Sequence, residues 1–459
     1  MTRRLGALLL AIGILCGTCA WAQTDAGTPD TGAPTQPGPK PAFTYPDATP
    51  SLDFLNGSIE NSSITLGINA GFSYVSDTYG ALTTSNQDRW LVHIAPDIKI
   101  QQFLPHLAWH ASYSGGYQYY TQISGVGVNY NNNLFSQRAG GGFLWQMARR
   151  WQLMGDDNYT FSANPFDSYV SSVGTPTLNN PNPVAYYPLT QYTSNRAILT
   201  LTDQLSKTDT LAFTGTANLR NTSTYNLLSA VPFYNLISYG GRASYSHQLS
   251  ARLSLGADYD YNTLDFGHGQ QRSGIQTIQM TGSYLLKPNM TISGWLGPQY
   301  TSTKDTLGVP IAPGEIVYVT QHSSLWSTSF GANFGWQSLR NSVRVGFSRQ
   351  VLDGGGILAT SQVNSIDGSY RRRLSSKMDC TVGGRYYHDT STTVSSRSFD
   401  NYYINTGLTY RFSKSLQTTG LYSYLHQDQS NTILIGNAHY STNLVGVTIA
   451  YSWTHPLGR

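Results

Sequence analysis

The sequence has little cysteine and almost no glutamate. Its 459 residues include 3 Cys, and two of them, Cys16 and Cys19, fall in an N-terminal apolar segment. If that segment is removed on export, Cys380 alone remains, and an intramolecular disulfide is excluded. Glu60 and Glu315 are the only glutamates. Neither belongs to a paired-carboxylate motif of the kind that glycoside hydrolysis needs.

Catalytic and metal-binding motifs are also missing. The 10 His are scattered along the chain, and the sequence contains neither HExxH nor GxSxG. Nothing assembles a nucleophile, a base and an orienting group, so an enzyme is not expected. We predict no catalytic residues, no metal site and no cofactor.

Charge is scarce as well. Charged residues make up 11% of the chain, against about 25% in ordinary soluble domains. Hydrophobic residues reach only 39%, and no long apolar run follows the N-terminal one. This balance is typical of neither a soluble surface nor a helical membrane protein. Loss of Arg3 and Arg4 leaves 26 of the 28 basic residues against 24 acidic ones, which predicts no nucleic-acid partner.

The N-terminus reads as an export signal. A basic start precedes the apolar run Leu5–Leu15, and "AWA" supplies the small residues of a cleavage site before Gln23. A retained anchor is the alternative, but about 11 apolar residues are too few to span a bilayer, which takes roughly 20. We predict a signal peptide over 1–22. The Pro-, Gly- and Thr-rich segment 23–60 is predicted to be a disordered periplasmic spacer or docking segment.

From residue 61 the chain alternates apolar and polar residues with a period of two. In "ITLGINAGFSY" the residues Ile64, Leu66, Ile68 and Phe72 share one parity, and glycine, serine and asparagine occupy the other. About 18 such segments occur, each near the ten-residue length of a tilted membrane strand, so we predict 16–18 strands. We predict an all-β antiparallel up-and-down barrel over 61–453, followed by a periplasmic tail over 454–459. A soluble all-β protein has the same period and is the competing fold.

The connections alternate between tight turns, such as "FLPH" and "FSKS", and longer polar segments. This alternation is typical of membrane barrels, whose short turns lie on the periplasmic side and whose long loops lie outside. The longer segments are predicted at 76–88, 122–133, 164–188, 221–233, 264–273, 302–321, 352–358, 389–398 and 428–436.

Aromatic residues cluster at both ends of the predicted strands, on the apolar parity. Such clusters mark the two interfaces between bilayer and water, so the expected partners are lipids of the outer membrane. The predicted interface girdle comprises Trp90, Trp145, Trp326, Trp336, Phe412 and Trp453.

Two stretches carry a resemblance. The hairpin "FSKSLQTTGLYSY" resembles a hairpin of Gram-negative general porins, and the final "GVTIAYSW" is similar to the signal read by the barrel-insertion machinery. The chain differs in adding "THPLGR" after its last aromatic residue. The resemblance to outer-membrane porins implies a channel for passive diffusion of small hydrophilic solutes, inserted through its last strand, either monomeric or a homotrimer.

A barrel of 16–18 strands is wide enough for an aqueous lumen. Charged residues avoid lipid, so those on the polar parity are expected to face that lumen. They either hydrate it and pair with one another or give a weak preference for anionic solutes. The predicted lumen-lining residues are Arg138, Arg196, Arg242, Arg344, Arg385, Arg411, Asp97, Asp156, Asp258, Asp260 and Asp379.

The longest outer segment, 164–188, is the third of the outer segments. In general porins the third outer loop folds into the lumen. By resemblance this segment is a candidate constriction formed by Asp167, Tyr169, Tyr186 and Tyr187. The alternative is a surface loop packed on its own prolines.

Two functions therefore follow from the sequence. The first is a passive outer-membrane channel. The second is a barrel that does not conduct and serves in adhesion, as a structural protein, or as a partner in an envelope or exopolysaccharide-export complex.

Overall fold

The computed structural model describes residues 62–80, 84–121, 133–162, 190–224, 235–267, 270–312, 315–353, 360–392, 398–432 and 436–457. The predicted signal peptide, the segment 23–60 and the loop 164–188 lie outside these residues. They stay predictions.

Eighteen β-strands make up the described chain, joined alternately at the two ends of the sheet. Their bounds are β1 Ser63–Gly80, β2 Thr84–Phe103, β3 Leu107–Tyr120, β4 Asn133–Gln146, β5 Trp151–Ser162, β6 Thr190–Asp203, β7 Asp209–Thr224, β8 Leu236–Gln248, β9 Leu253–Phe266, β10 Gln271–Lys287, β11 Met290–Ala312, β12 Glu315–Gln337, β13 Asn341–Asp353, β14 Thr360–Arg373, β15 Met378–Ser391, β16 Ser398–Arg411, β17 Leu416–Thr432 and β18 Gly436–Pro456.

Each strand pairs antiparallel with its neighbours in the sequence, and β1 also pairs with β18. That last pairing runs from Ser63↔Pro456 to Gly80↔His439 and closes the sheet on itself. The prediction of an all-β up-and-down barrel with about 18 strands is confirmed. No helix among the described residues is long and apolar enough to cross a membrane.

The two parities of each strand differ as the alternation predicts. On β18, Val445, Val447 and Ile449 are each 53% exposed, and they face outward. A large apolar residue exposed at every second position costs free energy in water and none in lipid. The apolar belt around the barrel therefore indicates that lipid surrounds it.

The predicted girdle residues lie on this outward parity, at the ends of the belt. Trp90 stacks on Phe72 with ring centroids 4.7 Å apart, and Tyr300 contacts Trp326 at 4.9 Å. At the opposite end, Tyr410 packs edge-on against Phe412 at 4.9 Å. Trp145 and Trp453 are exposed, and Trp336 is half-buried.

The strands extend further than predicted at their outer ends. The polar segments 76–88 and 302–321 are mostly strand, since β1 and β2 pair up to Gly80↔Thr84 and β11 and β12 up to Ala312↔Glu315. Above the lipid both faces of a hairpin meet water, so the apolar alternation disappears while the backbone hydrogen bonds persist. At the other end β18 continues past Trp453 to Pro456.

Gly297 on β11 has no room for a side chain. A Cβ at this position would lie 1.8 Å from the carbonyl oxygen of Ile278 on β10, where the pairing of those strands is interrupted between Thr277↔Gln299 and Met280↔Leu296. We expect Gly297→Ala to lower the free energy of unfolding by about 1–3 kcal/mol, because the backbone of β10 must move. Urea titration of the barrel in lipid vesicles, followed by tryptophan fluorescence, measures this.

Gly335 on β12 is the matched control. A Cβ there meets nothing within 4 Å, so Gly335→Ala should be neutral or stabilising by a few tenths of a kcal/mol, roughly. Equal effects of the two substitutions would contradict the close approach of β10 to Gly297.

Candidate solute pathway inside the barrel

The register places all of the predicted lumen-lining residues on the inward parity of their strands. Asp97 is opposite Gly67, Arg138 opposite Thr160, and Arg344 opposite Gly335. The side chains of Arg138 and Arg344 are exposed although they point inward, so they face open space in the interior. The same placement holds for Asp156, Arg196, Arg242, Asp258, Asp260, Asp379, Arg385 and Arg411.

The contacts of these charged side chains differ from one to the next. Arg242 Nε lies 3.1 Å from Asp260 Oδ2. Arg385 lies over the ring of Tyr387 at 5.4 Å, and Asp156 lies 3.9 Å from His110 Nε2. The predicted set is therefore spread around the wall and forms no single charged ring.

A charged cluster lies at the inner mouth of the barrel, the end where the turns are short. It joins the predicted residues Asp379 and Arg411 to Arg371 and Arg373, which were not predicted. Asp379 is buried and contacts Arg411, with Arg371 Nη2 at 3.4 Å and Arg373 Nε at 3.9 Å. Only one carboxylate balances three guanidinium groups, so the inner mouth near β14–β16 carries net positive charge.

The outer ends of β13 and β14 leave the wall and narrow the interior, which the sequence did not predict. The last pair between β12 and β13 is Phe330↔Arg349, yet β13 continues to Asp353 while still paired with β14. We call residues 350–353 and 360–363 the inward hairpin. Its β13 edge has left the wall and is unpaired along β12.

The side-chain amide of Gln299 on β11 replaces β12 as the hydrogen-bond partner of the Val351 backbone. Val351 N–H donates to Gln299 Oε1 at 2.8 Å, and Gln299 Nε2 donates to the Val351 carbonyl at 3.3 Å. The amide thus reproduces one rung of a β-ladder. Gln299 points inward from β11, opposite Thr277, so the hairpin lies inside the barrel.

Two further contacts hold the outward parity of the hairpin against the inner wall. Thr360 Oγ1 and Ser273 Oγ of β10 are hydrogen-bonded at 2.7 Å. Asp353 Oδ2 lies 3.4 Å from Arg220 Nη1 of β7, and both side chains are buried. Asp353, Thr360 and Val351 would face lipid if the hairpin continued the wall, but each is at most 3% exposed within the barrel.

Apolar side chains fill part of the interior, which the predicted polar parity did not indicate. One cluster packs Val351 of the inward hairpin against residues of β8, β9 and β10: Leu236, Leu264, Phe266 and Ile275. A second cluster lies along seven consecutive wall strands, from β16 through β18 and β1 to β4. Its members are Val75, Leu91, Tyr120, Leu134, Leu421, Leu425, Tyr440 and Leu444, with Tyr403 packed against them.

Below the second cluster lies a cavity of about 430 Å³, between β1–β5 and β17–β18. About half of its described lining residues carry hydroxyl or amide side chains, and leucines of the second cluster lie on one side. His93 and Arg138 belong to its lining, and no acidic residue does among the described part of the chain. The sequence could not indicate this cavity, because β17 and β18 are distant in sequence from β1–β5.

The predicted constriction residues Asp167, Tyr169, Tyr186 and Tyr187 fall outside the described residues. Among the described residues, no group of three or more His, Cys, Asp or Glu side chains is arranged to hold a metal ion.

No protein-family model matches the chain, and no curated protein matches it. Among solved structures, OccAB4 of Acinetobacter baumannii is 10% identical over 86% of this chain and 99% of its own, with a TM-score of 0.42. OccK1 (OpdK) of Pseudomonas aeruginosa is 11% identical over 86% and 100%, with a TM-score of 0.42. OccK2 (OpdF) of the same organism is 11% identical over 85% and 98%, with a TM-score of 0.40. Similarities of this size assign the chain to no family.

Proposed function

We propose that the protein is an outer-membrane channel through which small hydrophilic solutes diffuse passively. The observation that carries the proposal is the closed barrel of 18 strands with an apolar exterior and a largely polar interior parity. A barrel of this size encloses more space than wall side chains alone can fill. The solutes pass inward-facing, exposed side chains such as Arg138 and Arg344.

The interior is narrowed from two sides, which favours the passage of small solutes over large ones. The inward hairpin takes up space on the β7–β11 side, and the second apolar cluster narrows the opposite side. A solute must pass between them or displace the hairpin. Discrimination then depends on size and hydrogen bonding more than on charge, because acidic and basic side chains both face the interior.

One alternative function is favoured by the same packing. The hairpin and both apolar clusters bury much of the described interior near the outer end, as expected of a barrel that does not conduct. Such a barrel would serve in adhesion, as a structural protein, or in an envelope or exopolysaccharide-export complex. Residues 24–50 would then act as its periplasmic handle.

Single-channel recording in a planar lipid bilayer separates the two functions. We expect the purified, folded barrel to give discrete, reproducible conductance steps in KCl. A barrel that resists unfolding as a folded protein does, yet stays electrically silent over a range of voltages, would overturn the channel and favour the alternative.

Further proposals concern targeting and assembly. The chain is exported by residues 1–22 with cleavage before Gln23, and the insertion machinery recognises the part of β18 with the sequence "GVTIAYSW", which ends at Trp453. Support for the latter comes from β18 pairing with both β17 and β1, so that the last strand closes the barrel. The barrel is a monomer or a homotrimer, and we assign it no catalytic role.

A further inference from the structure

We infer that the 430 Å³ cavity is a binding site for polyhydroxylated solutes of about hexose size that carry no positive charge. The inference rests on the proposed channel function and names the class of solute that the channel retains on its way. The cavity volume falls within the ~300–1,000 Å³ of small-molecule sites.

Gln118 of β3 is the residue that points to a ligand. Gln118 lines the cavity and is 8% exposed. Its Oε1 atom is buried and has no hydrogen-bond partner in the described chain. A buried polar atom without a partner costs about 1–3 kcal/mol, so a bound group that donates a hydrogen bond to this oxygen is favoured.

The rest of the lining supplies both donors and acceptors. Asn69, Ser73, Ser114, Thr160 and Thr419 face the same space. Hydroxyl and amide groups can donate and accept, and they match the many hydroxyl groups of a sugar.

The charge of the described lining selects against cationic solutes. A hydroxylated anion can satisfy Gln118 Oε1 through its hydroxyl groups, and Arg138 attracts its carboxylate. An ammonium group could donate to this oxygen, but Arg138 repels it and no acidic residue of the described lining attracts it. A sugar without positive charge avoids this cost.

One side of the cavity is apolar and completes the match. Leu91, Leu421 and Leu444 line it, each less than a tenth exposed. Sugar rings present C–H faces as well as hydroxyl groups, and these faces gain free energy when apolar side chains cover them.

The test uses the full-length barrel in a planar bilayer and three probes of one size. Galactose is neutral, galacturonate is an anion and galactosamine is a cation at pH 7. We expect galactose and galacturonate to interrupt the KCl current reversibly, each with a half-saturating concentration at least about tenfold below that of galactosamine. Equal or stronger interruption by galactosamine would overturn the inference.

Substitution of Gln118 locates the site. We expect Gln118→Leu to raise the half-saturating galactose concentration about tenfold, because the acceptor of a hydroxyl group is lost. Gln279→Leu is the matched control, since Gln279 is a buried, inward-facing glutamine of β10 that hydrogen-bonds Ser329 at 3.4 Å, away from the cavity. It should leave the galactose response unchanged. An equal response of wild type and Gln118→Leu contradicts the site.

The binding site and the channel function can be overturned separately. Steady KCl current without interruption by galactose overturns the binding site and leaves the channel standing. A silent barrel overturns the channel, and calorimetric titration of the detergent-solubilised barrel with the same three sugars then decides the site. Heat of binding for galactose but not for galactosamine supports the site, and no heat for galactose overturns it.

Discussion

Replacing Asp353 with asparagine should raise the conductance of the barrel. Asp353 and Arg220 are 3% and 5% exposed, and they form the ion pair that holds the inward hairpin to β7. Removal of one partner leaves the other charge buried without compensation, which costs about 3–5 kcal/mol. The guanidinium group of Arg220 regains water if the hairpin moves off the wall, so Asp353→Asn favours the detached state.

The expected change follows from the size of that penalty. About 3 kcal/mol shifts the equilibrium between attached and detached hairpin more than 100-fold. Single-channel recordings should therefore show larger steps, or far more frequent openings, than those of the wild type. The hydrogen bonds of Gln299 and Thr360 still oppose detachment, so openings should close again.

Two variants separate this effect from a general loss of stability. Asp265→Asn breaks another Arg–Asp pair, in which Arg272 is largely exposed. An exposed pair contributes about 0–1 kcal/mol, and the current should not change. The double variant Arg220→Met, Asp353→Leu replaces the buried pair by apolar side chains, which is often neutral or stabilising, and should stay at the wild-type current. Wild-type currents in Asp353→Asn would show that the ion pair does not hold the hairpin.

The sequence was sufficient for the barrel wall within the membrane. Between Ile64 and Phe72 every second residue is apolar because that parity meets lipid, and the same rule identifies β2, β7, β16 and β18. The register then follows, since a shift by one residue would turn every apolar side chain inward.

Above the lipid the same rule fails. Residues 302–321 do not continue the outward apolar parity, since Leu307, Val309 and Val319 fall on the other one. They were predicted as a loop, yet β11 and β12 pair through most of them. Their hydrogen bonds are between backbone groups, which carry no signature in the side chains. Strand length beyond the membrane is therefore set by pairing that a hydrophobic pattern does not record.

The inward hairpin left a signal that could have been found. Asp353 and Thr360 occupy the parity that faces lipid elsewhere on β13 and β14, where Val345 and Ile366 are exposed. Polar residues at two outward positions that pair with each other across the hairpin predict that this end does not face lipid. The identity of its contacts could not be predicted, because Gln299 and Arg220 come from strands distant in sequence.

Exchanging Arg344 and Val345 should strongly destabilise the barrel without changing its composition. Val345 is 46% exposed on the outward parity of β13, and Arg344 points inward opposite Gly335. The double variant Arg344→Val, Val345→Arg moves one guanidinium group from the interior into the lipid belt. An arginine on the lipid face costs about 2–4 kcal/mol at the bilayer midplane and about 0–1 kcal/mol near an interface. Val345 pairs with Phe334, one outward position from the girdle pair Trp336↔Val343, so the expected loss is about 1–3 kcal/mol. Urea titration in lipid vesicles, followed by tryptophan fluorescence, measures the loss.

The two single variants assign the cost to the lipid face. Arg344→Val removes an exposed interior charge and should change the free energy of unfolding by less than about 1 kcal/mol, roughly the range for exposed positions. Val345→Arg should reproduce nearly the whole loss of the double variant, because the destabilising step is the entry of charge into lipid. The loss should also shrink in bilayers made thinner by shorter acyl chains, where a long side chain reaches the headgroups more readily. A barrel that tolerates Val345→Arg as well as Arg344→Val would mean that this parity of β13 meets water, and the outward belt would then require another explanation than lipid.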